Sequence, residues 1–353
     1  MLRTTTTLVR VARGLAIPVA GLLLLACGGA PSGAPTPEQH VQLRLGMLVN
    51  LTHATALVGV RQGLFANALG SSVTLQTSTF NAGPDEVTAL LSSSIDAAYV
   101  GPNPAINAFT QSHGEAVRIV SGATSGGAAL VVKPSITSAA ELKGRTLATP
   151  QLGNTQDVAL RYWLSKNGLR TDTSGGGDVS IHPQDNAQTL QTFEAGQLDG
   201  AWVPEPWASR MVDEGGGHVL VDERDLWPNR QFATTVLMVR TDYLRQYPDV
   251  VERLLQGQVA ANQFLQDQPD AARKAANDQI AAVTGRTLSS KVVADAWTRM
   301  TFTDDPIASS LQTSAQHAHS VGLLGPVSLK GIVDLTLLNQ VLTAENQPPV
   351  QGQ

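Results

Sequence analysis

The sequence predicts an α/β protein whose two similar lobes face each other across a cleft. One stretch occurs twice, as LLSSSIDAAYVGPNPAINAF from Leu90 and as TFEAGQLDGAWVPEPWASRM from Thr192. In both copies an aspartate, Asp96 or Asp199, precedes a short and almost entirely apolar strand, and a turn containing proline leads into a helix. Such a strand is typical of burial on both faces of a parallel sheet. Ligands bind α/β sheets beyond the carboxyl ends of the strands, where helix N-termini present free N–H groups. The repeat therefore predicts two such units around one ligand-binding cleft.

Length, composition and charge are those of a globular protein with an ordinary core. The 353 residues are 42% hydrophobic and 15% charged, which suffices for one large or two medium α/β domains. Only 5% are aromatic, so alanine, valine, leucine and isoleucine must build most of the core. A formal charge of −5, without a cluster of lysine and arginine, is unsuited to nucleic-acid binding. We therefore expect no nucleic-acid partner.

The first 26 residues predict a lipoprotein signal peptide. Three arginines lie near the start, and the apolar run over residues 15–26 is too short to span a bilayer as a resident helix. The run ends Leu-Leu-Ala before Cys27, which resembles a bacterial lipobox, so we expect cleavage before Cys27 and attachment of diacylglycerol to its sulfur. The alternative is an ordinary signal peptide with an accidental cysteine. Cys27 is the only cysteine, so the chain has no internal disulfide.

Residues 27–40 predict a flexible tether, because they are small, polar and rich in proline. Removing residues 1–26 takes away three arginines and no acidic residue, so the formal charge changes from −5 to −8. The mature protein is thus expected to be an acidic, extracytoplasmic lipoprotein that Cys27 anchors to the cell membrane.

From residue 41 the chain alternates predicted strands and helices. β-Branched and apolar residues alternate with polar ones in the strands, and Pro84 stands at a favourable helix start with acidic residues in the first turn. The predicted strands are 41–49, 72–80, 95–100, 117–123 and 128–132. The predicted helices are 54–68, with a break at Gly63, and the segments that begin near Pro84 and Pro104. Residues 124–127 are expected to be a flexible connection.

The same alternation of strands and helices begins again at Lys133, and it ends in a strand that returns to the first group of elements. A short helix over 138–142, a helix ending at Asn167-Gly168 and a helix over 186–195 alternate with strands at 146–149, 179–182 and 218–221. Strand 232–239 follows, and then helices over 251–265, 271–283, 289–300 and 308–321. This order predicts lobe I as 41–128 and 233–353, and lobe II as an insertion over 129–232. The two crossings are expected near 124–134 and 224–233.

Seven dispersed segments belong to one pattern. They are Phe80-Asn81-Ala82-Gly83-Pro84, Ser94-Ile95-Asp96, Gly101-Pro102, Glu141-Leu142-Lys143-Gly144-Arg145-Thr146, Gly196-Gln197-Leu198-Asp199-Gly200-Ala201, Glu205-Pro206-Trp207 and Tyr247-Pro248-Asp249-Val250-Val251. Together they resemble the solute-binding proteins of ABC importers for sulfonates, nitrate and taurine, over nearly the whole of 41–345. The resemblance implies a two-lobed periplasmic-binding-protein type II fold, with a mixed sheet and helices on both faces in each lobe. It also implies a monomer that closes on a small ligand and delivers it to a permease driven by separate ATPase chains.

The first-lobe part of the site is predicted in the turns that follow its strands, whose N–H groups suit an anionic cluster of oxygens. These candidates are Thr52, His53, Ala82, Gly83, Gly101, Pro102 and Asn103, with hydroxyls of Thr124 and Ser125 at the hinge. Protonated His53 could pair with a sulfonate or carboxylate, and neutral His53 could donate one hydrogen bond. The alternative is that all these turns only close strand–helix units.

The second-lobe part is predicted at a helix start and after the second copy of the repeat. Asn154, Thr155 and Gln156 could contact the ligand or cap their helix. Trp202 and Glu205 could form a seat for an amine, because carboxylates and aromatic faces attract cations, and the family resemblance favours Glu205 near the ligand. The alternative places Trp202 in the core and pairs Glu205 with an arginine.

The preferred ligand is therefore a small anionic or zwitterionic solute of the sulfonate or taurine type. A zwitterion of the taurine type, or a ligand with a hydrogen-bond donor opposite its acidic head, is favoured, and nitrate, bicarbonate and a thiamine pyrimidine are the alternatives. Tyr99 and Trp202 are expected to flank the gap between the lobes.

The chain lacks the common catalytic motifs, namely Walker, GxGxxG, HExxH and GxSxG patterns. His317 and His319 are two residues apart on a predicted helix and so lie on nearly opposite sides, which does not suit a metal. We expect no cofactor, no metal and no catalysis. An enzyme of the same fold, such as a menaquinone-pathway dehydratase or a thiamine-pyrimidine synthase, and a ligand-sensing module are the alternatives from other classes.

Overall fold

The computed structural model of the protein describes residues 40–352. The predicted signal peptide, Cys27 and the predicted tether up to residue 39 lie outside the described residues. Within residues 40–352, eleven strands form a six-stranded and a five-stranded sheet. None of the helices in this part of the chain is long and apolar enough to cross a membrane.

The strands are β1 (Val41–Leu48), β2 (Val73–Phe80), β3 (Ala97–Val100), β4 (Val117–Gly126), β5 (Ala128–Val132), β6 (Thr146–Thr149), β7 (Ser180–Pro183), β8 (Gly200–Pro204), β9 (His218–Asp222), β10 (Ala233–Arg240) and β11 (Met300–Phe302). The α-helices are α1 (Ala54–Arg61), α2 (Leu64–Leu69), α3 (Gly83–Leu91), α4 (Pro102–Gln111), α5 (Thr155–Lys166), α6 (Asn186–Glu194), α7 (Trp207–Asp213), α8 (Thr241–Gln246), α9 (Pro248–Asp267), α10 (Pro269–Thr284), α11 (Ser290–Trp297), α12 (Ala308–Ser320) and α13 (Thr336–Ala344). Short 3-10 turns cover Leu51–His53, Ala139–Leu142, Glu223–Leu226 and Pro228–Arg230.

The two sheets share one strand order. The first is β2-β1-β3-β10-β4-β11 and the second is β7-β6-β8-β5-β9. In each sheet three successive strands are parallel, and a strand that runs the other way follows them. β3 and β8, the strands of the repeat, therefore occupy equivalent places. The prediction that they lie in parallel surroundings is corrected, since each has one parallel and one antiparallel neighbour.

The two aspartates of the repeat have the same structural role. The main-chain N–H of Asp96 donates to Arg44 O at 2.8 Å, and Asp96 Oδ2 accepts from Arg44 N at 2.9 Å. Asp199 makes the same two bonds with Thr146, at 2.8 and 3.0 Å. Each carboxylate also lies beside two cations, Arg44 and Arg240 for Asp96, and Lys133 and Arg145 for Asp199. The repeated aspartate thus fixes the start of its strand against the parallel neighbour.

The chain passes between the sheets twice. β4 ends at Gly126 and β5 begins at Ala128, so Gly127 alone separates the two sheets there, with a φ of +79° that favours glycine. The return runs from β9 to β10 through residues 223–232. On this basis we propose lobe I as residues 41–128 and 233–353 and lobe II as residues 129–232.

Two expectations about local structure are wrong. Thr124 and Ser125 are not part of a flexible connection, because β4 continues through them and pairs with β10 and β11. Residues 300–302 form β11 against β4, although the helical pattern predicted over 289–300 reached into them. The helices α8 and α13 were not predicted.

Candidate functional site

The carboxyl ends of the parallel strands of both sheets meet around one pocket. Its wall takes residues from the turns after β1, β2 and β3 and from the segments at the ends of β6, β7 and β8. The lining residues are Leu48, Asn50, Thr52, His53, Asn81, Gly101, Asn154, Thr155, Gln156, Asn186, Pro204 and Thr234. Open α/β sheets bind their ligands at such strand ends, so this pocket is the candidate ligand-binding site.

Four helices begin at or beside the pocket wall. α4 follows Gly101, α5 starts at Thr155, α6 starts at Asn186, and α3 starts two residues after Asn81. Helix N-termini carry unpaired N–H groups and the positive end of the helix dipole, and both favour an anion. Among the described residues, the lining contains no Asp, Glu, Lys or Arg side chain. The pocket therefore suits an anion that is held without a formal counter-charge.

His53 is a neutral hydrogen-bond donor in this site. The residue is 2% exposed, and burial lowers the pKa of its imidazole to about 3, so the ring is uncharged at neutral pH. Nδ1 accepts a hydrogen bond from the main-chain N–H of Leu48 at 3.3 Å, which leaves the proton on Nε2. Of the two roles considered for His53, this geometry supports the donation of a single hydrogen bond.

Two polar atoms of the wall are buried without a partner. Thr155 Oγ1 and Asn186 Oδ1 make no hydrogen bond to any residue of the described part of the chain, and their residues are 5% and 6% exposed. Buried polar atoms are nearly always hydrogen-bonded, and each one left unpaired destabilises the protein. Because both atoms belong to the pocket wall, they are the strongest candidates for direct contact with a ligand.

The lobes touch around the pocket. A Cβ added to Gly101 would lie 2.6 Å from Thr155 Oγ1 in the opposite lobe. On the pocket side, side-chain hydrogen bonds join Asn81 to Asp185 at 3.1 Å, Gln151 to Asp85 at 3.2 Å and Trp207 to Asn50 at 2.8 Å across the lobes. These contacts leave a cavity of about 20 Å³, which is room for little more than one water-sized group. A ligand of more than a few heavy atoms therefore requires side chains of the pocket wall to rearrange.

The pocket wall includes some of the predicted site residues and not others. Those in the wall are Thr52, His53, Gly101, Asn154, Thr155 and Gln156. Those outside it are Ala82, Gly83, Pro102, Asn103, Thr124, Ser125, Trp202 and Glu205. Asn103 Nδ2 instead donates to Ser314 O at 3.4 Å, and Ser125 Oγ accepts from Phe232 N at 3.2 Å. These two side chains bond to the main chain beyond the wall.

Trp202 and Glu205 lie outside the pocket because both are engaged in the interior. Trp202 is 0% exposed, and its Nε1 donates to Glu223 Oε2 at 2.7 Å. Glu205 is 0% exposed, and its Oε1 accepts from Arg299 Nη1 at 2.8 Å. The expected seat for an amine is therefore corrected to the alternative, in which Trp202 is a core residue and Glu205 pairs with an arginine. Tyr99 is also 0% exposed and belongs to a core cluster, so the two aromatic residues do not flank the cleft.

Six wall residues were not predicted from the sequence, namely Leu48, Asn50, Asn81, Asn186, Pro204 and Thr234. The three asparagines follow strands or start a helix, as the predicted residues do, so the same rule could have identified them. Thr234 lies on β10, the strand that returns from the second sheet. Only the pairing of β10 in three dimensions brings this residue to the pocket.

The two histidines of α12 lie in different surroundings, and His319 Nδ1 is 3.0 Å from Leu324 O. No group of three or more His, Cys, Asp or Glu side chains within residues 40–352 could hold a metal ion. His317 instead stacks on Tyr162 of α5, with ring centroids 3.5 Å apart, and burial lowers the pKa of His317 to about 4. The stack joins helices of the two proposed lobes outside the pocket.

Glu86 is a buried acid in the first turn of α3. It is 0% exposed, and neither carboxylate oxygen has a hydrogen-bond partner within residues 40–352. A Cβ added to Gly46 would lie 2.8 Å from Glu86 Oε1, so the carboxyl group occupies the space that this glycine leaves open. Burial raises the pKa of Glu86 well above its ordinary value of 4.5, so the folded protein keeps this proton to a higher pH than the unfolded chain does.

The Glu86→Gln variant is expected to gain stability over the wild type as the pH rises. Above pH 4.5 the unfolded wild type releases a proton that the folded wild type retains, so its free energy of unfolding falls by up to about 1.4 kcal/mol per pH unit until the raised pKa is reached. Below pH 4.5 both states hold the proton and the effect disappears. Urea unfolding from pH 4 to pH 8 measures this difference. The exposed Glu194→Gln serves as the control, and parallel pH profiles for wild type and Glu86→Gln would contradict the assignment.

A comparison with protein families matches most of the described chain. The model of the NMT1-like family covers residues 36–281, a range that contains the repeat, both crossings between the sheets and every residue of the pocket wall.

Individual relatives and one solved structure resemble the chain at lower identity. A protein of Brucella abortus (strain 2308), named as a binding protein, is 25% identical over 214 residues, which are 56% of this chain and 64% of the relative. The taurine-binding periplasmic protein of Escherichia coli (strain K12) is 26% identical over 218 residues, which are 61% of this chain and 64% of that protein. The alkanesulfonate-binding protein of Xanthomonas axonopodis pv. citri, solved with bound MOPS, superposes with a TM-score of 0.69 at 21% identity, over 83% of this chain and 98% of that one.

These comparisons confirm the resemblance and the fold that it implies. The chain has the two-lobed periplasmic-binding-protein type II fold, with a mixed sheet in each lobe and a hinge of two crossings. The matches span 64% of the length of both curated relatives, just under two thirds.

Proposed function

The chain belongs to the NMT1-like family, and on this premise we propose that it is the extracytoplasmic solute-binding protein of an ABC importer and catalyses no reaction itself. One observation carries the proposal. A single pocket between the two sheets lies at or beside the N-termini of α3, α4, α5 and α6, and no charged side chain of the described residues lines it. Such a pocket is suited to capture an anion reversibly, whereas general acid–base catalysis requires a titratable group near its working pH. The pKa of His53 is about 3, far below neutral pH, so His53 does not suit general acid–base catalysis.

The proposed ligand is a small organic sulfonate without an ammonium group. N–H groups at the helix starts and Nε2 of His53 would donate to the sulfonate oxygens. From the second lobe, the Thr155 hydroxyl would donate, and so would Nδ2 of Asn186 once its amide group turns toward the ligand. The named relatives support a sulfonate, since one is a taurine-binding protein and one is an alkanesulfonate-binding protein. The taurine-type zwitterion that the sequence favoured loses its basis, because the carboxylate of Glu205 is bonded to Arg299. Because the cavity is small, the smaller anions nitrate and bicarbonate are the second candidates.

The proposed mechanism is hinge closure. A ligand that contacts both lobes binds the closed form more tightly than the open form and shifts the population toward it. The two crossings, at Gly127 and at residues 223–232, are the connections around which the lobes would move. A permease and separate ATPase chains would receive the ligand, and acyl chains on Cys27 would hold the monomeric protein at the membrane.

Thermal shift and calorimetric titration test the proposal. Ethanesulfonate, taurine, nitrate, bicarbonate, β-alanine and a thiamine pyrimidine are added to the purified protein at pH 7. We expect ethanesulfonate to raise the melting temperature at least as much as taurine, since no carboxylate of the described residues lines the pocket to pair with the ammonium group. A response to amine-bearing ligands alone would contradict the ligand class. Mass spectrometry of the same mixtures must show no turnover, and a product would favour the enzyme alternative.

A further inference from the structure

We propose that the buried ion pair of Asp157 and Arg161 in α5 positions the second-lobe turn of the pocket and keeps it free of net charge. This inference rests on the proposed function. The side chains of Asp157 and Arg161 are 0% and 1% exposed, and neither residue lines the pocket. Both follow Asn154, Thr155 and Gln156 within two turns of the same helix, and those three residues do line it.

Asp157 connects both ends of the turn that leads into α5. Its Oδ1 accepts from Thr149 Oγ1 at 2.9 Å, and Thr149 is the last residue of β6. Its Oδ2 accepts from the main-chain N–H of Gly153 at 3.0 Å, directly before the helix cap. One carboxylate therefore sets the distance between the strand end and the helix N-terminus. The position of Thr155 Oγ1, one of the two unpaired atoms of the wall, depends on that distance.

Arg161 holds this carboxylate in place. Its Nε donates to both oxygens of Asp157 at 3.0 Å, and its Nη1 donates to Asp172 O, which ties α5 to the loop over 172–178. A buried negative charge one helical turn from the pocket would repel an anionic ligand, and in the protein interior this repulsion is only weakly screened. The guanidinium group cancels the charge. The pair thus provides the strong hydrogen bonds of an ionised carboxylate without opposing the ligand.

Stability alone is a weak reason for such a pair. Burying two charges removes them from water, and hydrophobic residues of the same volume are often as stabilising or more so. What hydrophobic residues could not do is bond the hydroxyl of Thr149 and the N–H of Gly153 at once. The ion pair is therefore best explained by the geometry of the ligand turn.

The test compares Arg161→Met with Arg253→Met by calorimetric titration of ethanesulfonate. Arg253 is the matched control, because it pairs with Asp249 at the same i,i+4 spacing near the start of α9, and neither residue lines the pocket. Arg161→Met should weaken binding by about tenfold or more, since an uncompensated carboxylate then lies near the anion. Arg253→Met should bind as the wild type does. The double variant Asp157→Asn/Arg161→Met should bind more tightly than Arg161→Met, because it removes the uncompensated charge.

The inference is overturned if Arg161→Met and Arg253→Met bind ethanesulfonate equally, or if the double variant binds no more tightly than Arg161→Met. Should Arg161→Met fail to fold, Arg161→Lys retains the charge, and it must bind more tightly than Asp157→Ala, which loses the bonds to the turn. A wild-type protein that binds no anion of the panel would overturn the proposed function and this inference together. Wild-type binding with an unchanged Arg161→Met would overturn this inference alone.

Discussion

Replacing Arg299 with methionine is expected to lower the free energy of unfolding by about 3–5 kcal/mol at pH 7, the usual effect of removing one partner from a buried ion pair. Glu205, which is 0% exposed, follows β8 of the second sheet, and Arg299 precedes β11 of the first. Nη1 of Arg299 donates to Glu205 Oε1 at 2.8 Å, and the only other groups that bond this carboxylate within the described residues belong to Ser209. Without Arg299, a buried charge between the sheets loses its counter-charge.

The difference in the free energy of unfolding between the wild type and Arg299→Met is expected to decrease as the pH is lowered toward 4. Burial raises the pKa of Glu205 above its ordinary value of 4.5, and Arg299 opposes that rise, so the pKa increases further in the variant. When the pKa of an acid is higher in the folded protein than in the unfolded chain, the acid destabilises the protein at pH values above the unfolded pKa. Below the unfolded pKa the acid is protonated in both states, and the effect disappears. Urea unfolding at pH 4, 5.5 and 7 measures the change.

The matched variants for this prediction are Glu205→Gln/Arg299→Met and Arg210→Met. The double variant removes both charges and should recover most of the lost stability. Arg210 forms a partly exposed pair with Glu214, so its loss should lower the free energy of unfolding by no more than about 1 kcal/mol. An Arg299→Met deficit that stays constant with pH, or that the double variant does not reduce, would contradict a role for the charge of Glu205.

The position of Glu205 also shows what local sequence could and could not predict. A carboxylate between Trp202 and Trp207 suggested a cation site, because only neighbours in the chain were visible. The partner that determines its role, Arg299, lies 94 residues away. The six lining residues that were predicted lie in turns after strands or at the start of a helix, where the strand–helix pattern itself indicates the position. Whether the side chain of the next residue also faces the pocket depends on how the two lobes pack against each other. A local sequence pattern does not show this.

More of the fold than of the site could be predicted from the sequence, for a related reason. Alternation of strands and helices is local, and the repeat around Asp96 and Asp199 marks equivalent strand starts in the two sheets. The strand that returns from the second block, β10, was predicted from its position in the order of elements. Its antiparallel pairing with β3 was not predicted, because a strand buried between two neighbours has the same apolar composition in either direction.

Replacing Gly101 with alanine is expected to weaken ethanesulfonate binding by about tenfold or more, while the ligand-free protein keeps its stability. The backbone φ of Gly101 is −67°, which alanine adopts without strain. The added Cβ, however, would lie 2.6 Å from Thr155 Oγ1 across the cleft, well inside the normal contact distance. The open form avoids this clash, so the substitution should act only on closure around the ligand. Calorimetric titration and ligand-free urea unfolding separate the two effects.

A double-mutant cycle with Thr155 identifies the clash as the cause. Thr155→Ala weakens binding by removing the hydroxyl, but it also removes the atom that the new methyl group would meet. In that background Gly101→Ala should therefore reduce affinity much less than it does in the wild type. Gly325→Ala is the control, because a Cβ there would have no atom within 4 Å. Equal losses from Gly101→Ala in both backgrounds would show that the lobes do not close on each other at this contact, since the methyl group would then act without meeting Thr155.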